Sequence, residues 1–76
     1  MKVFIIYCIT NNINNKKYVG QFNRDIKHFP SYYGSGNLIK RAIKKHGSIS
    51  FNKEILEECN NKSDLNAQEI YWILRL

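Results

Sequence analysis

Hydrophobic and polar positions alternate between runs and breaks from the first residues. Val3 to Ile9 is a run of β-branched and aromatic side chains and predicts a strand. The polar stretch Thr10 to Asn15 interrupts it with turn chemistry, because asparagine tolerates the left-handed backbone region. Lys16 to Gln21 predicts a second strand, and so short a link makes the pair an antiparallel hairpin. With the turn centred near Asn12 and Ile13, Tyr7 falls opposite Tyr18 and the two phenols share a face. A slip of one residue would separate them.

Phe22 to Gly36 has no clean period. Pro30, Gly34 and Gly36 mark it as loop, with one short helical turn over Arg24 to His28. Asn37 to His46 predicts a helix with the apolar stripe Leu38, Ile39, Ala42 and Ile43, and Gly47 supplies its stop. Phe51 to Glu57 predicts a third strand, with Phe51, Lys53, Ile55 and Glu57 on one face and Asn52, Glu54 and Leu56 on the other. A last helix starts at about Lys62 and runs to the end, capped by Asn61 with Asp64 in its first turn. The order β-β-α-β-α, without repeats or linkers, predicts one α/β domain of the α+β type over residues 1–76.

Composition narrows the classes. A chain of 76 residues buries only about 60% of its unfolded surface, yet 43% hydrophobic residues suffice for a single core and argue against disorder. Twelve Lys and Arg against six Asp and Glu give +6 and a pI near 9.5. That excess suggests nucleic acid or an acidic membrane surface, with plain solubility as the alternative. Cys8 and Cys59 are too few and too far apart for a zinc ribbon or a disulfide framework, so reduced, cytoplasmic chemistry is the expectation. The opening segment resembles the start of a signal peptide, but no small-residue cleavage site follows. Its apolar run is far shorter than the ~20 residues of a membrane helix. Neither targeting nor spanning is expected. Asn, Ile and Lys supply 30 of the 76 residues, which fits the AT-rich coding of many viral or bacterial genomes.

Four groups of residues could carry chemistry. Glu69 sits in the middle of the stripe Leu65, Trp72, Ile73 and Leu76 of the last helix. A carboxylate on a core face wants a metal, a cation or a solvated cleft. The plainer alternative is an Asn-x-x-Glu capping box with Asn66. Tyr7 and Tyr18 either pack the hairpin or flank a scissile phosphate, where a phenol can take a proton from the attacking water or hold it in line. Arg24 and His28, four apart, would share a helical face. The arginine suits phosphate oxygens and the histidine a proton shuttle; a solvated basic turn is the alternative. Lys16, Lys17, Lys27, Lys40, Arg41, Lys44 and Lys45 could contact phosphates without sequence choice, or form an ordinary wet face. Tyr32 to Gly36 reads as a loop entering the first helix, whose N-terminus would suit a phosphate.

Taken in order, these segments resemble the GIY-YIG nuclease superfamily, most closely its phage and homing-endonuclease branch. Ile5-Ile6-Tyr7 stands where that family has Gly-Ile-Tyr, and Tyr18-Val19-Gly20 matches Tyr-Ile-Gly. Tyr33 to Gly36, Leu38 to Gly47, Glu54 to Cys59 and Glu69-x-Tyr71-Trp72-Ile73 resemble the segments that follow. The resemblance implies a small three-stranded antiparallel sheet flanked by helices, with the active site on the sheet face. It implies a DNA endonuclease with one Mg²⁺ or Mn²⁺ held by Glu69 and no small-molecule cofactor. Tyr7 and Tyr18 would be the paired tyrosines, and Arg24 and His28 the Arg/His pair, with Arg41 as rival for the phosphate. The further DNA-binding region of homing members has no counterpart here, and the chain ends in or just after its last helix, so a C-terminal truncation fits the pattern. Two rival expectations are an inactive DNA-binding remnant and a protein-interaction domain.

Overall fold

In a computed structural model, which describes residues 1–34 and 37–76, the strand Phe4–Asn11 (β1) lies at the centre of a three-stranded antiparallel sheet. Lys17–Phe22 (β2) flanks it on one side and Phe51–Cys59 (β3) on the other. Ile5 to Ile9 are all buried, because both faces of the sheet are covered. That is why the segment reads as an unbroken apolar run rather than an alternation.

The hairpin register is shifted from the expected one. Tyr7 pairs with Gly20 and Tyr18 with Ile9. β1 runs on to Asn11 because it also pairs with β3 as far as Asn11 opposite Phe51, which holds Thr10 and Asn11 in the sheet. The Asn11 N–H donates to the Lys16 carbonyl at 2.9 Å, and its buried side-chain Oδ1 accepts from the Ile13 N–H at 2.9 Å. Asn15 closes the turn at φ 61°, the left-handed region expected of an asparagine here. The shift is two residues, so Tyr7 and Tyr18 keep a common face.

A β-bulge in β3 brings a second correction. Ile6 pairs with Glu57 but Tyr7 pairs with Ile55, leaving Leu56 as the extra residue. Glu57 therefore lies on the face of Ile6, opposite to Ile55, and not beside it as strict alternation requires.

The Tyr7 face carries the larger core: Ile5, Tyr7, Ile9, Phe22, Phe51 and Ile39, the last from helix α1 (Asn37–His46). Leu38, expected in the same stripe, is 73% exposed, so α1 touches the sheet through a narrower face than its sequence suggests. Lys53 crosses this layer. Its Nζ donates to the carbonyls of Phe29, Pro30 and Tyr32 and lies over the Phe29 and Tyr33 rings at 4.2 and 4.7 Å. Burial lowers its pKa.

On the other face lies α2 (Lys62–Arg75), started by Asn61, whose Oδ1 accepts from the Asp64 N–H at 2.9 Å. Leu65 is fully buried. Farther along, the contact turns polar: Gln68 Nε2 and Trp72 Nε1 donate to the two oxygens of Glu57, at 2.9 and 3.0 Å. Ile73 and Leu76 are each 53% exposed, so the apolar stripe expected there does not dock. The helical turn expected over Arg24 to His28 is a 3₁₀ turn of Ile26–His28 only, capped by Asp25, which also pairs with the N-terminal ammonium at 3.0 Å. Arg24 precedes it, so Arg24 and His28 share no helical face.

Candidate active-site groove

A groove of about 500 Å³ opens where the hairpin, the Tyr32–Gly34 segment and the two helices meet. Tyr7 and Tyr18 line one wall and Glu69 another. The Ser35–Gly36 part of the expected phosphate-binding loop lies outside the described residues.

Tyr7 is 4% exposed, with its ring edge-on to Phe29 and Tyr32 at centroid distances of 6.1 and 5.9 Å. Two glycines make room for it. A Cβ on Gly20 would stand 2.4 Å from the Tyr7 hydroxyl oxygen, and one on Gly34, at φ 88°, would stand 2.9 Å away. The glycine of Tyr18-Val19-Gly20 is thus the missing side chain over which the Tyr7 phenol lies. Burial first, then the neighbouring Tyr32 and Glu69, push the Tyr7 pKa well above that of a free phenol. The shift favours the neutral hydroxyl, which can donate or accept a hydrogen bond.

Glu69 is half-buried on α2. Its Oε1 accepts from Gln21 Nε2 at 3.1 Å, and the same amide nitrogen donates to Asn66 Oδ1 at 3.0 Å. Lys62 Nζ donates to Gln21 Oε1. One amide thus stands between a cation and a carboxylate. The capping box of Asn66 with Glu69 is not formed, because the helix begins a turn earlier, at Asn61.

Among the described residues no three His, Cys, Asp or Glu side chains cluster around a possible metal position. An ion at Glu69 would have one protein carboxylate, with water and substrate oxygens completing its shell. That donor set fits Mg²⁺ or Mn²⁺ and not zinc, which takes three or four protein ligands.

Arg24, His28 and Arg41 do not line the groove. Arg24 stacks on Tyr32 at 5.4 Å, one aromatic ring behind the groove wall, while His28 and Arg41 are exposed. Lys16, Lys17, Lys27, Lys40, Lys44 and Lys45 are exposed as well. The single salt bridge among the described residues uses the N-terminal ammonium, so no carboxylate neutralises these side chains.

Gln21, Lys53 and Lys62 were not singled out from sequence, and Tyr32 only as the start of the loop entering the first helix. Lys53 carried a signal, a lysine between Phe51 and Ile55 on one strand face. Lys62 carried a weaker one, a cation in the first helical turn, where the helix dipole disfavours it. Gln21 had none.

Residues 2–75 match the family described as "Putative endonuclease segE, GIY-YIG domain". The chain is 44% identical over 66 residues to "Putative endonuclease segB" of Enterobacteria phage T4, covering 87% of this chain and 29% of that protein. It is 35% identical over 79 residues to "Intron-associated endonuclease 1" of the same phage, covering 93% of this chain and 32% of that protein. The chain therefore spans less than a third of these relatives. Its structure superposes on the catalytic domain of the intron endonuclease I-TevI, solved as a point mutant, with a TM-score of 0.77 and 32% identity, covering all of this chain and 84% of that one.

Proposed function

The chain belongs to the GIY-YIG domain family of segE-type endonucleases, and from that premise we propose that its groove is the active site of a divalent-metal-dependent DNA endonuclease that hydrolyses phosphodiester bonds. Residues 1–76 form its catalytic domain in this reading. What carries the proposal is the meeting of Tyr7, Tyr18 and Glu69, from three separate elements, around one groove.

Glu69 would hold Mg²⁺ or Mn²⁺, which when bound supplies Lewis-acid stabilisation of charge on the phosphate. Tyr7, kept neutral by burial, places a hydroxyl in the groove to hold the attacking water or donate to a phosphate oxygen. Tyr18, half-buried and nearer solvent, is the better placed of the two to pass a proton outward. Arg24 and Arg41 remain the two arginines for the phosphate backbone, with His28 four residues after the first. The exposed lysines give salt-dependent affinity without sequence preference. No helix among the described residues is long and apolar enough to cross a membrane.

The test is cleavage of a supercoiled plasmid with Mg²⁺, with and without EDTA. Glu69→Ala should lose at least about a hundredfold in rate while keeping its melting temperature. Cutting at the wild-type rate by that variant would overturn the assignment. A folded wild type that binds DNA and never cuts would mark a non-catalytic DNA-binding domain. The rate ratio of wild type to Tyr7→Phe should stay flat from about pH 6.5 to about pH 9, as a neutral hydroxyl requires. A ratio climbing with pH would mean a phenolate base.

A further inference from the structure

Sequence supplies Arg24, Arg41 and six lysines (Lys16, Lys17, Lys27, Lys40, Lys44 and Lys45) as phosphate partners, and none of them lines the groove. One cationic side chain does: Lys62, the first residue of α2. We propose that Lys62 is the groove's own phosphate-binding residue, contacting the backbone of the bound nucleic acid beside Glu69. This rests on the nuclease reading for its substrate and adds a contact residue to it.

Three observations support the assignment. Lys62 shares the groove lining with Tyr7, Tyr18 and Glu69 although it belongs to the opposite face's helix. It is aimed by Gln21, whose Oε1 accepts from Nζ while its Nε2 donates to Glu69 and Asn66. The amide acts as a spacer. Lys62 and Glu69 stand seven residues, about two turns, apart on one side of α2, and Gln21 bridges them where a direct ion pair would neutralise both. No such pair forms among the described residues. An ammonium has three donors, and Gln21 takes one, so two remain for phosphate oxygens. Finally, a lysine in the first turn is opposed by the helix dipole, so the position does not serve the helix.

The experiment compares wild type, Lys62→Ala, Lys62→Arg and, as a control away from the groove, Lys2→Ala. Binding to a short duplex is measured in Ca²⁺ at several salt concentrations, Mn²⁺ affinity by electron paramagnetic resonance, and cleavage in Mg²⁺. Lys62→Ala should lose about tenfold or more in kcat/KM, and its slope of log Kd against log salt should fall by about 1. Mn²⁺ affinity and melting temperature should not move, and Lys62→Arg should recover most of the loss. If Lys62→Ala binds and cuts like Lys2→Ala, the proposal is wrong. It is also wrong if the loss tracks a fall in Mn²⁺ affinity, since Lys62 would then act only through Glu69. Should the wild type never cut, the nuclease reading falls separately, and the binding arm still decides: an unchanged salt slope in Lys62→Ala overturns the contact.

Discussion

The two helices dock on opposite faces of one sheet and do so by different means. α1 inserts Ile39 into the aromatic core and keeps its cations in water. α2 begins with the same device at Leu65, then continues its inward stripe with Gln68, Glu69 and Trp72, spaced as a helix face should be. Two of those three make hydrogen bonds to Glu57, and the third holds Gln21. Meanwhile Ala67, Ile70, Tyr71 and Leu74, at the same spacing, face solvent. Apolar periodicity finds a helix's buried side when the contact is apolar. It misleads where the docking face must also present a carboxylate to a groove.

If that contrast is right, the helices should fail differently. The largest effect is expected in α1: Ile39→Ala removes a deeply buried side chain and should cost about 2–4 kcal/mol in urea unfolding. A loss below about 1 kcal/mol would mean that α1 is held by something other than its apolar face. For α2 the matching change is polar. Glu57→Ala leaves the Trp72 indole N–H and the Gln68 amide without their acceptor, both partly buried. A cost of about 1–3 kcal/mol is expected. Near neutrality would mean that Leu65 alone docks the helix.

The same contrast explains what the sequence made legible. α1 was readable to its first and last residue, because stripe, cations and Gly47 agree. The start of α2 was equally plain from Asn61 and Asp64. The chain order β-β-α-β-α followed from apolar runs and the Asn-rich turn, but the central place of β1 between β2 and β3 did not. The register did not, since β1 is extended by its pairing to β3, a contact that no local signal in the hairpin encodes. The bulge at Leu56 was hidden for the same reason, and with it the true face of Glu57. Glu69 stood out as a charge on an apolar stripe, whereas Gln21, which aligns it, is an ordinary amide in a strand and acquires meaning only across 48 residues of separation. Arg24 and His28 show the opposite failure. Their spacing suggested a helical face, but Asp25 starts a three-residue 3₁₀ turn between them.

The smallest effect is the one that most directly separates the two stripes of α2. Leu74 lies on the far side of the helix from Leu65 and is 83% exposed. Replacing Leu74 by Gln keeps helix propensity nearly constant, so the change in stability reads burial and little else. If the polar stripe is the one that docks, Leu74→Gln should alter the unfolding free energy by no more than about 0.5 kcal/mol. Adding Ile70→Gln, also exposed on that side, should add as little again. A loss of about 2 kcal/mol in the double variant would mean that the outer stripe is covered in solution. Dependence of that loss on protein concentration would identify the cover as a second copy of the chain. Additive, negligible changes would leave α2 as drawn: a helix whose hydrophobic side faces water while its polar side holds the groove.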